Sequence, residues 1–254
     1  MGARIAKAHG PDTVVVVSRD GTTQHGIPSV AWPDWTAKIA ENPTPRVIWM
    51  LDQRHDDERL LRELAAAAPM AHVTMCGTCT VYGDRGDALC TESTALRPTT
   101  ANAEAKLRCE TFLAESGLGW CSLRLGALFA PNIRGARKDR VQKMVEQARA
   151  GRVVVPDPTH WRGWLHADQA ARALWRASVQ RADGAVLVAS ENHTFGEAAG
   201  YAAELYDAEV AAAGEPDLSS YRIDAALARS LGILDELPGE GLADTIRAFA
   251  TSTP

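Results

Sequence analysis

Trp161-Arg162-Gly163-Trp164 sets a guanidinium between two indoles, a combination that can stack on and hydrogen-bond a planar or sugar-like ligand, or equally fill a core. Arg134, Arg137 and Arg140 could meet a diphosphate, although a solvated helix start has the same composition. Cys76-Gly77-Thr78-Cys79 is a C-x-x-C, which acts as a redox dithiol at the opening of a helix or as half of a zinc site. Here it runs into Thr80-Val81-Tyr82-Gly83, and neither a second C-x-x-C nor a His pair completes four ligands, so buried thiols and no metal are expected. With Cys90, Cys109 and Cys121 the thiols number five, odd and irregularly spaced, against a secreted disulfide framework. Asn102 and Lys106 stand at i, i+4, on one face of a helix.

These groups need a scaffold, and 254 residues with 46% hydrophobic and 23% charged side chains suffice for a folded core without staples. A net charge of -5 gives no broad footprint for nucleic acid, and no apolar run reaches the roughly 20 residues of a membrane span. A cytosolic protein acting on a small molecule is expected, with no nucleic-acid or membrane partner. The run at residues 14–17 has the continuous β-branched pattern of a strand covered on both faces of a parallel sheet, and 46–51, 71–76 and 120–125 are similar. Helical stretches intervene at 5–9, at 57–67 with Leu60, Leu61 and Leu64 on one face, and at 102–115 with Leu107 and Phe112 inward. This alternation predicts an α/β doubly wound parallel sheet. Beyond Leu125 the pattern loosens: helices at 141–150, 166–179, 194–205, 224–231 and 241–249, and strands at 153–155 and 185–189.

The order of motifs along nearly the whole chain resembles the extended short-chain dehydrogenase/reductase family, its NAD-dependent epimerase/dehydratase group. Thr78 to Asp84 is similar to the hydroxyl-bearing segment ending in V-Y-G, and Glu92 with Leu96-Arg97-Pro98 to the approach to the catalytic helix. Ala105-Lys106-Leu107 with Glu110 resembles that helix, Leu123-Arg124-Leu125 the strand after it, Trp164 to Asp168 with Ala170 and Ala171 the later F-V-H-V-x-D-x-A element, and Gly241-Leu242 the final helix start. The resemblance implies a Rossmann-like dinucleotide-binding part at 1–125, completed by about 166–190. A small substrate lid would come from 126–165 and 191–254, and a homodimer would form through the helix of Lys106 and its neighbour.

It also implies site residues. Thr78 would donate a hydrogen bond to the substrate oxygen where charge develops; capping the loop backbone is its other reading. The family's Y-x-x-x-K reads Asn102-Ala103-Glu104-Ala105-Lys106, and an amide has no proton to give at neutral pH. Lys106 would hold the nicotinamide ribose or relay a proton through water, or simply be a solvated helix lysine. Substitute acids would be Tyr82, Cys79, a water held by Asn102 and Lys106, or a substrate hydroxyl; Tyr82 is read both as a substrate contact and as a packed residue of its turn. Gly2, opening the first helix, looks like the last glycine of the family's G-x-x-G-x-x-G, so the first strand and two glycines would precede Met1, or the sheet has closed up without them. Ser18-Arg19, where NAD-preferring members carry an acid, favours NADP over NAD. Arg134, Trp161 and Arg162 would contact substrate.

The reading is an atypical NAD(P)-dependent oxidoreductase acting on a carbonyl or alcohol of a sugar or natural product. The alternatives are a cofactor-free isomerase, cyclase or binding module, and a nucleotide-sugar epimerase or dehydratase, which suffers most from Asn102 because it needs a base that takes and returns a proton.

Overall fold

The computed structural model describes residues 1–10, 15–18, 28–42, 44–50, 56–130, 140–214 and 219–251. In chain order the elements are α1 (Gly2–His9), β1 (Val17–Ser18), β2 (Val30–Ala31), α2 (Trp35–Ala40), β3 (Arg46–Trp49), α3 (Asp57–Ala67), β4 (His72–Cys76), β5 (Asp84–Cys90), α4 (Ala101–Glu115), β6 (Gly119–Leu125) and β7 (Ala127–Phe129). They continue as α5 (Arg140–Arg149), β8 (Arg152–Val155), β9 (Trp161–His166), α6 (Ala167–Gln180), β10 (Gly184–Val188), β11 (Glu191–Thr194), α7 (Phe195–Glu204), β12 (Glu209–Ala212), β13 (Ser220–Ile223), α8 (Ala226–Ser230) and α9 (Leu242–Thr251).

The apolar runs do become an α/β fold with a parallel sheet. A four-stranded sheet has the order β10-β6-β4-β3, with β4 parallel to both β3 and β6 and Val73 opposite Val47 and Trp120. The chain forms two compact units: residues 1–77, 105–123 and 171–185, and residues 78–104, 124–170 and 186–254, so the division runs through α4, α6, β6 and β10.

In the first unit α3 is capped by Asp56, whose carboxylate accepts from the Arg59 N–H, and it buries Leu61 and Leu64. These pack with Trp35, Trp49, Val73, Met75, Cys109 and Leu113. Of the residues expected inward on α4, Phe112 packs half-buried against this core and Leu107 is half-buried, while Cys109 and Leu113, one turn apart, are its buried apolar side chains there. The strand expected at 14–17 is also corrected. Only Val17–Ser18 forms a strand among the described residues, it pairs with β2 alone, and Val15 and Val17 are 52% and 41% exposed. With one partner edge and no sheet on either side, β-branched side chains there cannot be covered on both faces. Among the described residues β1 pairs with no strand of the four-stranded sheet.

The second unit has its own core, Phe129, Val141, Met144, Val153, Trp164, Phe195, Ala198, Leu242 and Ile246 among others. Helix α7 starts at a capping box in which Thr194 Oγ1 accepts from the Glu197 N–H and the Glu197 carboxylate from the Thr194 N–H. Strands the sequence pattern did not announce, β5, β7, β9, β11, β12 and β13, assemble here, with β9 between β7 and β11 and β13 paired to β5. The helix expected from His166 begins one residue later, His166 being the last residue of β9.

Candidate functional site

In the first unit the chemistry gathers where β4 ends. Lys106, half-buried on α4, donates from Nζ to the carbonyl oxygens of Cys76 and Gly77 at 3.0 and 3.2 Å. Gly77 is required there by space: a Cβ would stand 2.5 Å from Ser122 Oγ and 2.9 Å from the Leu123 carbonyl oxygen. Behind that peptide, Ser122 Oγ donates to the buried Glu110 carboxylate at 2.7 Å. Burial pushes the Cys76 thiol up, with the Lys106 ammonium and the chain's amino terminus pulling it down, so it stays a thiol at neutral pH. Glu110 was visible in the sequence only as part of a motif; its partner Ser122 carried no signal, because the pairing of a helix with the next strand is tertiary.

In the second unit, Thr78 caps a 3-10 turn at Cys79–Tyr82, its Oγ1 accepting from the Thr80 N–H at 3.3 Å and lying 2.9 Å from Thr80 Oγ1. The capping reading of Thr78 thus describes its hydroxyl in this conformation. Cys79, a candidate proton donor, is buried with Sγ donating to the Arg124 carbonyl at 2.9 Å. Tyr82 is wholly buried, and its hydroxyl accepts from Arg124 at 2.9 Å. Burial, partly offset by Arg124, pushes that phenol well above its ordinary value. The packed reading of Tyr82 is what this geometry supports. Gly83, at φ 66°, lies where a Cβ would come 2.2 Å from the Arg97 carbonyl oxygen, so the V-Y-G turn packs directly on the Leu96-Arg97-Pro98 segment. Asn102, in the first turn of α4 and one turn before Lys106, is half-buried with Oδ1 shielded from solvent and without a hydrogen-bond partner.

The Trp161–Arg162 grouping also resolves. Arg162 is 3% exposed: its guanidinium donates to the Ser219 carbonyl, to Ser219 Oγ at 3.0 Å and to its neighbour Trp161's carbonyl at 2.8 Å, between the rings of Phe195 and Tyr221. Trp164 is buried and donates from Nε1 to the His193 carbonyl. Only Trp161 of the three stays half-exposed, and the cation over its ring, 5.0 Å from the centroid, is Arg222 from β13. Arg140 lies over Phe195 at 4.5 Å; Arg134 and Arg137 lie outside the described residues. Donor atoms of His166, Asp168 and Glu240 come within 4.8 Å of one another, but His166 Nδ1 already accepts from the Asp168 N–H at 3.2 Å, which engages the lone pair a metal would need.

Comparison with known proteins decides the family. Residues 37–189, more than half of the chain, match the NAD dependent epimerase/dehydratase family. The chain belongs to that family. Its fold is that of UDP-N-acetylglucosamine 4-epimerase from Bacillus cereus (TM-score 0.76, 18% identity, 98% of this chain and 91% of that one). It is also that of dTDP-glucose 4,6-dehydratase from Bacillus anthracis in complex with NAD (TM-score 0.77, 16% identity, 98% and 93%). UDP-glucose 4-epimerase from Thermus thermophilus in complex with NAD is similar too (TM-score 0.72, 18% identity, 99% and 96%). A search of curated protein sequences finds no match to the chain.

This family member fits a nicotinamide dinucleotide in part. Helix α1 has no acidic residue in its first turn and no side-chain cap, which leaves its positive end without a carboxylate of its own, and Lys106 places an ammonium at the end of β4. A glycine turn with close backbone approach is not found among the described residues: a Cβ on Gly2 would meet Met50 Sδ at an ordinary 3.6 Å. Ser18 is the last residue of β1, and Arg19, on which the NADP expectation leans, lies outside the described residues. The Bacillus anthracis and Thermus thermophilus structures are complexes with NAD. Among the described residues no helix is long and apolar enough to cross a membrane.

Proposed function

We propose that the chain is a nicotinamide-dinucleotide-dependent oxidoreductase of a sugar-like or natural-product substrate that works without an ionisable group at position 102. The observation that carries this reading is Lys106, whose ammonium is anchored on the Cys76 and Gly77 carbonyls at the end of a central strand. The bound dinucleotide would supply hydride acceptance and return. Lys106 and the N-terminus of α1 are the groups that would hold it, by charge and by the positive end of the helix dipole. Thr78, if its hydroxyl swings from Thr80, donates to a substrate oxygen, and the Asn102 amide orients that substrate by hydrogen bonding without exchanging a proton. The proton must then travel through water or a substrate hydroxyl, since Tyr82 and Cys79 are buried and engaged. Because known structures of the same fold are sugar-nucleotide epimerases and dehydratases, a nucleotide sugar leads among substrates.

Calorimetric titration with NADH and NADPH tests the reading. Saturable binding of either, weakened at least about tenfold by Lys106→Met, is expected, an ionic hydrogen bond being worth about 1.5–3 kcal/mol; Ser18-Arg19 favours NADPH. No saturable binding by the intact chain overturns it. The second reading, a cofactor-free isomerase, cyclase or binding module, is favoured by the same amide at 102 and takes over in that event.

A further inference from the structure

Arg222 is the guanidinium in the second unit whose surroundings ask for something more. It sits on β13, opposite Leu89 of β5, half-buried, with its Cζ over the ring of Trp161 at 5.0 Å from the centroid. Its Nε is cut off from solvent and meets no acceptor, and no carboxylate pairs with the charge among the described residues. The contrast with Arg162 is sharp, because that side chain, one residue along β9 from Trp161, spends its donors on Ser219 and the Trp161 carbonyl and is closed off by Phe195 and Tyr221. Side chains alternate along a strand, so Trp161 and Arg162 face opposite sides of β9, and the residue beside Trp161 had to come from another strand.

A half-buried cation normally finds a carboxylate or a full set of carbonyls, since charge taken from water without a partner is costly. Arg222 has an indole beside its guanidinium, Cζ lying 5.0 Å from the Trp161 ring centroid, and a buried Nε that meets no acceptor. A planar fork held in this way presents parallel N–H donors to an acceptor with two oxygens, the geometry of carboxylate and phosphoryl groups. We propose that Arg222, backed by Trp161, is a binding site for an oxyanion presenting two oxygens to the guanidinium edge, a carboxylate or phosphoryl group of a ligand. The site stands entirely on residues of the second unit. It does not depend on a dinucleotide being bound.

Titrations of inorganic phosphate and of sodium acetate at constant ionic strength, followed by calorimetry and tryptophan fluorescence, test it. The expected result is saturable binding of at least one anion, weakened about tenfold or more by Arg222→Gln, because a charge-assisted hydrogen bond is worth about 1.5–3 kcal/mol. Arg222→Lys, which keeps the charge and loses the fork, is expected to bind more weakly than the native chain, and Trp161→Phe to remove the fluorescence response. Tighter binding of phosphate assigns a phosphoryl group and tighter binding of acetate a carboxylate. Saturable binding unchanged in Arg222→Gln, or no saturable binding of either anion, overturns the proposal. Should Arg222→Gln fail to fold, an unchanged affinity in Arg222→Lys overturns the fork geometry. Titration of NADH into Arg222→Gln keeps the two assignments apart, since dinucleotide binding is expected to be unchanged there.

Discussion

Lys106 on α4 and Arg162 on β9 are both cations singled out in the sequence, yet the structure treats them oppositely. Lys106 is half-buried and touches two backbone carbonyls, whereas Arg162 is 3% exposed, saturated by Ser219 and Trp161, and held between two aromatic rings. The lesson is that residue type and spacing nominate a group for chemistry, while availability depends on what else reaches its donors. The same contrast separates Asn102, whose Oδ1 has no partner, from Tyr82, whose hydroxyl is committed to Arg124.

The largest expected effect breaks the second unit. Gly83→Ala puts a Cβ 2.2 Å from the Arg97 carbonyl oxygen at a positive φ. Strain and overpacking together should cost about 3 kcal/mol or more, read as a fall in the urea midpoint. Arg162→Met against Lys106→Met sharpens the comparison of the two cations. The first strands Ser219 in a buried site and should cost about 3 kcal/mol of stability. Lys106→Met should cost no more than about 1 kcal/mol, since it removes hydrogen bonds of a half-buried side chain and keeps an apolar stem of similar length in its place. Equal losses would erase the distinction drawn here. The smallest effect is a pH dependence in the first unit. Burial, the largest influence, holds the His72 imidazole below its ordinary value of 6.5, while its Nε2 pairs with the Ala182 carbonyl at 2.9 Å. The folded chain therefore resists the proton that the unfolded chain accepts. Stability is at its full value above that ordinary value and is lost as pH falls from there towards the lowered folded value. The melting temperature should drop between pH 7 and 5, and His72→Gln should flatten that drop.

Much of the first unit was legible because its strands are continuous apolar runs and α3 carries Leu61 and Leu64 on one face beneath an acidic cap. On α4 Phe112 was read correctly as facing the core, whereas the smaller Cys109, one turn from Leu113, went unread because its residue type gives little hydrophobic signal. In the second unit, β5 reads Asp-Arg-Gly-Asp-Ala-Leu-Cys and β9 mixes tryptophan with arginine. Neither shows alternation strong enough to announce a strand, because their pairing is decided by β13 and β7 far along the chain. Arg222 carried no motif at all; only the approach of β13 brings it over Trp161.

The sequence by itself determined the family and the alternation of parallel strands with helices, because these depend on residue identity and local periodicity. Which thiols, hydroxyls and cations are free to act was decided by tertiary structure. A donor's availability is set by burial and by partners distant in sequence, as Ser219 is to Arg162 and Arg124 is to Tyr82.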